Sequence, residues 1–218
     1  MNESAPTAPA ETERRYRDQP LSERREARRQ KILDAALDAF GTIGYHASSI
    51  EQLCASAGVS TRNFYEAFSS REELLLVLHD DLNARALQAV VEAITPLDPN
   101  DLGIRARAGV SAYLGVVTTD RRWARIAVIE TIGVSPKAEE HRRQAIDRFA
   151  GVLRLEAQRL SDDGLIPKRD YTLTSIALVA AINGLVNTWT ADETWDKRVD
   201  QVIDEATRLI VLAVTGPA

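Results

Sequence analysis

Apolar residues recur at helical spacing along most of the chain. In the first such segment they lie three and four residues apart, at Ile32, Leu33, Ala36, Leu37 and Phe40. This spacing places them on one face of a helix that begins near Leu21 or Ser22. Gly44 follows, and glycine commonly ends a helix in a left-handed turn. The pattern therefore predicts one long first helix.

Two short helices are predicted next. A serine at position 48 or 49 can cap a helix that runs through Ala57, and Gly58 breaks that helix. Ser60 can cap a second short helix through Phe68. The two helices therefore meet at one glycine.

Longer helices follow. The pairs Ser69 with Glu72 and Ser70 with Glu73 offer overlapping capping boxes for a helix that runs to about Ile94. Beyond the prolines at 96 and 99, helical patterns cover residues 102–118, 121–133, 136–160, 171–190 and 195–214. No segment alternates as a strand does, and no repeat of fixed period is present. The predicted fold is all-α, with about nine helices.

Composition and charge describe an ordinary globular protein with a basic N-terminal end. Hydrophobic residues make up 44% of the 218 residues and charged residues 27%, and we find no apolar run that approaches a membrane span. The N-terminus lacks the apolar core of a secretory signal, and the single cysteine, Cys54, has no disulfide partner, so we expect a cytoplasmic protein.

The net charge of −5 hides a strong asymmetry. Residues 14–31 hold eight basic residues and three acidic ones, a local charge of +5 that would attract a polyanion. Alternatively, this basic segment is a solvated arm that binds nothing. Residues 1–21 have no periodic apolar face and are expected to form a disordered basic tail.

The segment from Ser49 to Phe68 meets the requirements of a helix-turn-helix. Gly58 is the turn glycine, and Cys54 supplies a small side chain where the two helices approach. The apolar contacts that would fix the crossing come from Leu53, Ala57, Val59 and Phe64. Packing therefore explains Cys54, although a redox-sensing role is an alternative.

The outward positions of the second short helix carry side chains that can read DNA. Arg62 could bind guanine, Asn63 could pair with adenine, and the Thr61 methyl could touch thymine. The residues expected to bind phosphates or to flank these contacts are Ser49, Ser60, Tyr65 and Arg71. A solvated polar face is the alternative, and the acidic Glu66 would be repelled by the DNA backbone.

These residues resemble a known family. The segment from Gly58 to Leu74, GVSTRNFYEAFSSREEL, is similar to the signature of TetR repressors, in which G-V-S precedes a Y-x-H-F box and a basic residue opens the next helix. Upstream, Ile32 to Ala36 with Phe40, Gly44 and Tyr45 is similar to that family's first helix. The chain departs from the pattern at Ala67, where histidine is usual, and at Arg71, where lysine is usual.

The resemblance implies a DNA-binding domain over residues 22–86 and an effector-binding and dimerisation domain over residues 87–218. It also implies a homodimer formed through the last two helices. The sequence agrees, because residues 174–189 are apolar nearly all round and include small residues that would permit close helix approach. These are Ala177, Ala180, Ala181 and Gly184.

A ligand cavity would need polar groups on otherwise apolar helices. The candidates are Tyr113, Trp123, Arg125, Glu130, Asn183, Asn187 and Trp189. Glu130 is either a pocket acid or the partner of an arginine such as Arg125 or Arg143. Asn183 and Asn187 could instead form ordinary interhelix bonds, and the aromatic residues could be core.

Enzyme motifs are missing from the sequence. His46, His79 and His141 form no H-E-x-x-H arrangement, there is no G-x-S-x-G elbow or P-loop, and Asp80-Asp81 lacks the third acid of a metal-diphosphate site. We therefore expect no enzyme activity, cofactor or metal. The predicted function is a repressor that leaves a palindromic operator when a small molecule binds; a DNA-binding activator remains an alternative.

Overall fold

The structure, a computed structural model, describes residues 20–192, 194 and 198–216. Within these ranges the chain forms helices and no strands, as predicted. The helices are α1 (Leu21–Thr42), α2 (Ile50–Ala57), α3 (Thr61–Ala67), α4 (Arg71–Ile94), α5 (Leu102–Val117), α6 (Arg121–Val128), α7 (Pro136–Asp162), α8 (Thr172–Ala191) and α9 (Val199–Thr215). Most of the predicted basic tail and the predicted start of the last helix, Trp195, lie outside the described residues.

Local hydrogen bonds explain why α2 and α3 begin and end where they do. The Ser49 hydroxyl accepts from the Gln52 backbone N–H, and the Gln52 side chain accepts from the Ser49 N–H at 2.8 Å, which forms a complete capping box. Gly58, with φ of 64°, ends α2 in the left-handed conformation that glycine adopts without strain. Ser60 then caps α3 by accepting from the Asn63 N–H. The predicted helix-turn-helix therefore has its boundaries set by the sequence itself.

The start of α4 forms neither predicted capping box in full and keeps only one half of the Ser70–Glu73 box. The Ser70 hydroxyl accepts from the Glu73 N–H at 3.0 Å, while the Glu73 carboxylate accepts from the Ser69 N–H at 2.7 Å. Glu72 makes no box with Ser69, because its carboxylate accepts from the hydroxyl of Ser135, the residue that caps α7. The contact links α4 to α7.

Two apolar clusters form the interior. The first joins α1 to α4 and is built around aromatic side chains that are fully or almost fully buried, Phe40, Phe64 and Phe68. Ile126 of α6, which is also fully buried, belongs to this cluster. The second cluster fills the space among α4 to α9. The N-terminal helices therefore rest on the larger body through α6, which packs on α1, and through α4, which continues into the body and packs on α5.

Helix α6 ends earlier than its apolar pattern predicts. The pattern indicates a helix to Gly133, but α6 stops at Val128, and residues 129–132 form turns. The N–H groups of both Ile129 and Glu130 bond to the Arg125 carbonyl, and the second of these bonds spans five residues and ends the α-helical pattern. Beyond this turn the Glu130 carboxylate reaches the end of α1, where it accepts from the Tyr45 N–H at 2.7 Å.

Helix α8 is an apolar segment of membrane-span length, although no such segment was expected from the sequence. Its 20 residues include no charged side chain, and a mean hydropathy of 1.3 makes it long and apolar enough to cross a membrane by length and composition alone. A core helix has the same properties. In the structure α8 packs against α6, α7 and α9 and buries Leu178, Val186 and Trp189.

Candidate nucleic-acid interface and ligand cavity

The helix-turn-helix presents polar side chains from a rigid apolar base. Leu53 and Phe64 are 1% and 0% exposed, and Cys54 is buried between them and α1. Burial raises the pKa of the Cys54 thiol, which keeps it protonated and poorly reactive. The geometry therefore fits the packing role predicted for Cys54.

The outer face of α3 is exposed as predicted. Thr61 and Glu66 are exposed, Tyr65 is 56% exposed, and 88% of the Arg62 side chain is accessible. Two of the predicted contact residues have other tasks, because the hydroxyls of Ser49 and Ser60 cap helices α2 and α3. A capping hydroxyl still has lone pairs, so these serines can serve DNA only in addition to their structural role.

A network that the sequence analysis missed joins α1 to this face. Arg28 Nη1 donates to Asn63 Oδ1 at 2.8 Å and lies 3.8 Å from Glu66 Oε2. The other Glu66 oxygen accepts from Arg62 Nε at 3.1 Å. Glu66 therefore lies between two guanidinium groups instead of facing open solvent alone. Arg28 belongs to the basic segment noted in the sequence, but no local pattern connects it with a residue 35 positions away.

Two further arginines are held by aromatic rings. Arg71, predicted to bind phosphate, lies 4.3 Å above the Tyr45 ring, and Arg29 lies 4.7 Å above the Phe68 ring. Such stacking restrains a guanidinium and leaves its edge N–H groups able to donate. Both arginines flank the face formed by α3.

Three of the predicted effector residues lie at the junction of α1 and α6, away from the cavity. The buried Glu130 accepts from Arg125 Nη2 at 2.6 Å as well as from Tyr45, and Arg125 also donates to the Thr42 carbonyl at 3.0 Å. Trp123 packs into the N-terminal cluster beneath Arg85, whose guanidinium is 4.5 Å from the ring. Of the alternatives for Glu130, the structure favours the ion pair with Arg125.

A second ion-pair group lies beside that junction. Arg122 donates to Asp38 of α1 at 2.7 Å and to Asp120, the cap of α6. Hydrogen bonding from Arg122 lowers the pKa of Asp120, and both carboxylates raise the pKa of Arg122. The two groups of charges hold α6 against α1.

The body contains a large apolar cavity between α4, α5, α7, α8 and α9. Its volume is about 990 Å³ when counted out to its open mouth. Among its 21 lining residues, five are polar or charged. The lining is Val90, Ile94, Leu102, Arg105, Ala106, Gly109, Val110, Tyr113, Phe149, Val152, Leu153, Glu156, Ala157, Leu160, Ser175, Leu178, Val179, Ile182, Asn183, Ile210 and Val214. A mostly apolar lining with a few polar groups is typical of small-molecule sites.

Two polar pairs interrupt the apolar lining. The Tyr113 hydroxyl donates to Asn183 Oδ1 at 3.0 Å, and burial raises the pKa of Tyr113. Arg105 donates to both Glu156 oxygens and to the carbonyls of Ile94 and Leu97. Tyr113 and Asn183 were predicted from the sequence as cavity residues, whereas Arg105 and Glu156, whose pairing spans 51 residues, were not.

The last two predicted effector residues do not reach this cavity. Asn187 is exposed on α8. Trp189 is buried beneath Arg121, with the guanidinium 4.6 Å from the ring, and lies beside Leu114 and Val202. Its position one turn beyond Val186 faces α5 and α9 instead of the cavity.

A buried histidine lies where α4 meets α7. His79 is 1% exposed, and its ring centroid is 5.2 Å from that of His141. Burial, followed by the neighbouring His141, lowers the pKa of His79 to about 4 despite the opposing effect of Asp80. In residues 20–192, 194 and 198–216, no three His, Cys, Asp or Glu side chains converge as metal ligands would.

The outer face of α8 carries the small residues noted in the sequence. Ala177, Ala180, Ala181 and Gly184 are all exposed, and no atom comes within 4 Å of a Cβ placed on Gly184. Leu173, at 80% exposed, continues this stripe toward the start of α8. An apolar helix face of this kind is open to another helix.

Comparisons with known proteins agree with this geometry. Residues 32–78 match the family model described as bacterial regulatory proteins, tetR family. The HTH-type transcriptional regulator RutR of Escherichia coli K12 is 38% identical over 88 residues, which cover 39% of this chain and 42% of RutR. The HTH-type transcriptional activator FasR of Mycolicibacterium smegmatis is 31% identical over 102 residues, 47% of this chain and 46% of FasR. The matched segment spans less than half the length of either relative.

Solved structures extend the likeness to the whole fold. The fatty acid degradation regulator FadR of Bacillus halodurans has a TM-score of 0.75 at 15% identity, covering 84% of this chain and 94% of that one. FadR of Bacillus subtilis, solved in complex with stearoyl-CoA, has a TM-score of 0.73 at 16% identity, covering 87% and 99%. A TetR-like regulator of Rhodococcus sp. RHA1 has a TM-score of 0.69 at 23% identity, covering 87% and 97%. Residues 32–78 thus resemble the N-terminal domain of the TetR family of bacterial regulatory proteins, and the chain has the fold of solved TetR-type regulators.

Proposed function

We propose that this protein is a transcriptional regulator that acts in the cytoplasm as a homodimeric repressor and leaves its operator when a small molecule fills the body cavity. One observation carries the proposal: α3 holds exposed polar side chains on a buried, doubly capped scaffold, inside the segment that matches the TetR family model. DNA binding is assigned to residues 22–86, and ligand binding and dimerisation to residues 87–218.

The DNA contacts follow from exposure and chemistry. Arg62 is the most accessible candidate for guanine, and Thr61 can meet a thymine methyl beside it. Tyr65 and Arg71 flank the face and are suited to phosphates, with Ser49 and Ser60 as secondary contacts.

A second copy of the chain is the proposed partner of α8 and α9. The small exposed residues of α8 allow two helices to approach closely, and Leu212 of α9, 55% exposed, lies on an outward face. Two α3 helices would then enter successive major grooves about 34 Å apart on a palindromic site.

The cavity suits a largely apolar ligand. Arg105 donates its hydrogen bonds to Glu156 and two carbonyls, so a free anion would have to displace an existing ion pair. Tyr113 and Asn183 can instead exchange hydrogen bonds with a neutral polar group. The likeness to the Bacillus subtilis FadR structure in complex with stearoyl-CoA supports an acyl chain as the first ligand to test.

The junction of α6 with α1 offers the path from ligand to DNA. Helix α5 lines the cavity and leads directly into α6, whose charges hold α1. A ligand that shifted α6 would change the separation of the two α3 helices in the dimer and lower operator affinity.

The test is a footprint of the purified protein on DNA upstream of its own gene, with and without stearoyl-CoA. We expect a palindromic footprint that weakens with ligand. Arg62→Ala should weaken operator binding by about 1 to 3 kcal/mol and relax the preference at one base pair. Arg143→Ala, which removes an exposed charge from α7, is the matched control and should bind as the native protein does. The absence of a specific footprint on any DNA would refute the proposal.

An activator is the second candidate, favoured by the similarity to the activator FasR. Deleting the gene distinguishes the two, because loss of a repressor raises transcription of its targets and loss of an activator lowers it.

A further inference from the structure

Arg28 of α1 fixes the orientation of the Asn63 side chain on α3. Its Nη1 lies 2.8 Å from the Asn63 amide oxygen and joins residues 35 positions apart. A guanidinium has donors and no acceptor, so the amide atom that faces it must be the oxygen. The contact therefore assigns the two ends of the amide: Oδ1 faces α1, and Nδ2 is the end left to bind a further partner.

This orientation changes which base Asn63 can read. The usual asparagine contact with adenine uses Nδ2 as donor to N7 and Oδ1 as acceptor from the N6 amino group. With one acceptor site of Oδ1 taken by Arg28, Nδ2 is the end of the amide that is left fully free to meet a base edge. Guanine carries two acceptors, N7 and O6, on its major-groove edge. A group that presents only donors, beside a guanidinium, matches guanine.

The neighbouring acid supports the same arrangement. Glu66 Oε2 lies 3.8 Å from Arg28, and its other oxygen accepts from Arg62 Nε at 3.1 Å. Arg28 is thus restrained by two acceptors on α3, and only 26% of its side chain is exposed. A restrained side chain loses less conformational entropy when the complex forms.

We propose that Arg28 is a specificity-determining positioning residue, which holds Asn63 as a donor and makes it select guanine in place of adenine. This inference rests on the proposed DNA-binding function, and it reverses the adenine contact expected from the sequence.

The experiment selects binding sites from randomised duplex DNA with the full-length protein and four variants. Asn63→Ala identifies the base pair that Asn63 reads, because the preference at that position alone should disappear. Arg28→Met removes the partner of Oδ1, and the guanine-to-adenine affinity ratio at that pair should fall about tenfold. Arg25→Met is the matched control, since Arg25 is exposed on the same helix and the same charge is lost. It should weaken binding to all sequences equally and leave the ratio unchanged.

Asn63→Asp tests the inference independently of any effect of Arg28 on folding. A carboxylate keeps the contact with Arg28 but has no donor, so the preference should move from guanine toward cytosine, which offers an amino donor. Circular dichroism melting of each variant checks that the DNA-binding measurements compare folded proteins.

The outcomes distinguish failure of this inference from failure of the proposed DNA-binding function. The inference is supported if the native protein selects guanine at the base pair read by Asn63 and if the guanine-to-adenine ratio falls in Arg28→Met but not in Arg25→Met. Adenine at that position in the native protein, or an unchanged ratio in Arg28→Met, overturns it while DNA binding stands. Uniform weakening by Asn63→Ala, with no change in base preference, makes Asn63 a phosphate contact and also overturns it. No selected site with the native protein overturns both.

Discussion

Gly41 is a point of close approach between α1 and α6. A Cβ placed on Gly41 would lie 2.3 Å from Arg122 Cβ and 2.7 Å from Arg122 Cα, both far inside van der Waals contact. Gly115 is also helical, on α5, but a Cβ there would meet nothing within 4 Å. The two glycines therefore allow the same substitution, glycine to alanine, with opposite expected results.

The magnitudes follow from helix propensity and overlap. Alanine is favoured over glycine in a helix by about 0.8 to 1 kcal/mol, so Gly115→Ala should stabilise the protein by roughly that amount. At Gly41 the same gain is opposed by an overlap of more than about 1 Å with backbone, which cannot rotate away, and overpacking of this kind costs about 1 to 3 kcal/mol or more. Gly41→Ala should therefore destabilise the protein by about 2 kcal/mol.

Thermal unfolding followed by circular dichroism measures both effects at one fixed protein concentration, since a dimer's melting point depends on concentration. For a chain of this size 1 kcal/mol corresponds to about 2 to 4 °C. Gly41→Ala should lower Tm by about 4 to 8 °C, and Gly115→Ala should raise it by about 2 to 4 °C. A shift of both variants in the same direction would refute the close contact between α1 and α6.

Three other predictions concern charge, the cavity and pH. Glu130→Ala leaves the buried Tyr45 N–H without its acceptor and should lower the free energy of unfolding in urea by about 3 kcal/mol. Glu140→Ala breaks only an exposed pair and should leave the stability almost unchanged, so equal losses for the two variants would contradict the role of the α1–α6 junction. Gly109→Phe should fill the cavity and abolish binding of a fluorescent fatty acid without lowering Tm, and retained binding would place the ligand elsewhere. Burial lowers the pKa of His79 to about 4 in the folded protein, so the unfolded chain takes up a proton at a higher pH than the folded one. The stability present above pH 6.5 should therefore fall by about 3 kcal/mol as the pH drops to 4. His79→Gln should flatten that part of the pH profile of urea unfolding, and an unchanged profile would refute the assignment.

The sequence predicts the helix-turn-helix well because its determinants are local. Ser49, Gly58 and Ser60 act on backbone groups within a few residues, so their roles can be seen without tertiary structure. The face of α3 follows in the same way, since the buried positions Leu53 and Phe64 fix which side points outward.

Long-range contacts explain what the sequence does not reveal. Arg28 meets Asn63 only because α1 crosses α3, and Glu130 leaves the cavity because a tight turn after α6 carries it to Tyr45, 85 residues earlier. Cavity residues are equally hard to predict, because the lining comes from five helices and most of it has the composition of ordinary core. A polar residue in an apolar pattern signals burial with a partner, but not which partner.

Glu66 has a further consequence for how such a protein would find its site. An acid between Arg28 and Arg62 lowers the positive potential of the surface that would first touch DNA, on a chain whose net charge is −5. Binding to random sequence depends almost entirely on that potential, and a bacterial genome offers roughly 10⁶ competing sites or more. Weak non-specific binding shortens the residence time at each of those sites, so fewer copies of the protein suffice to keep a single operator occupied.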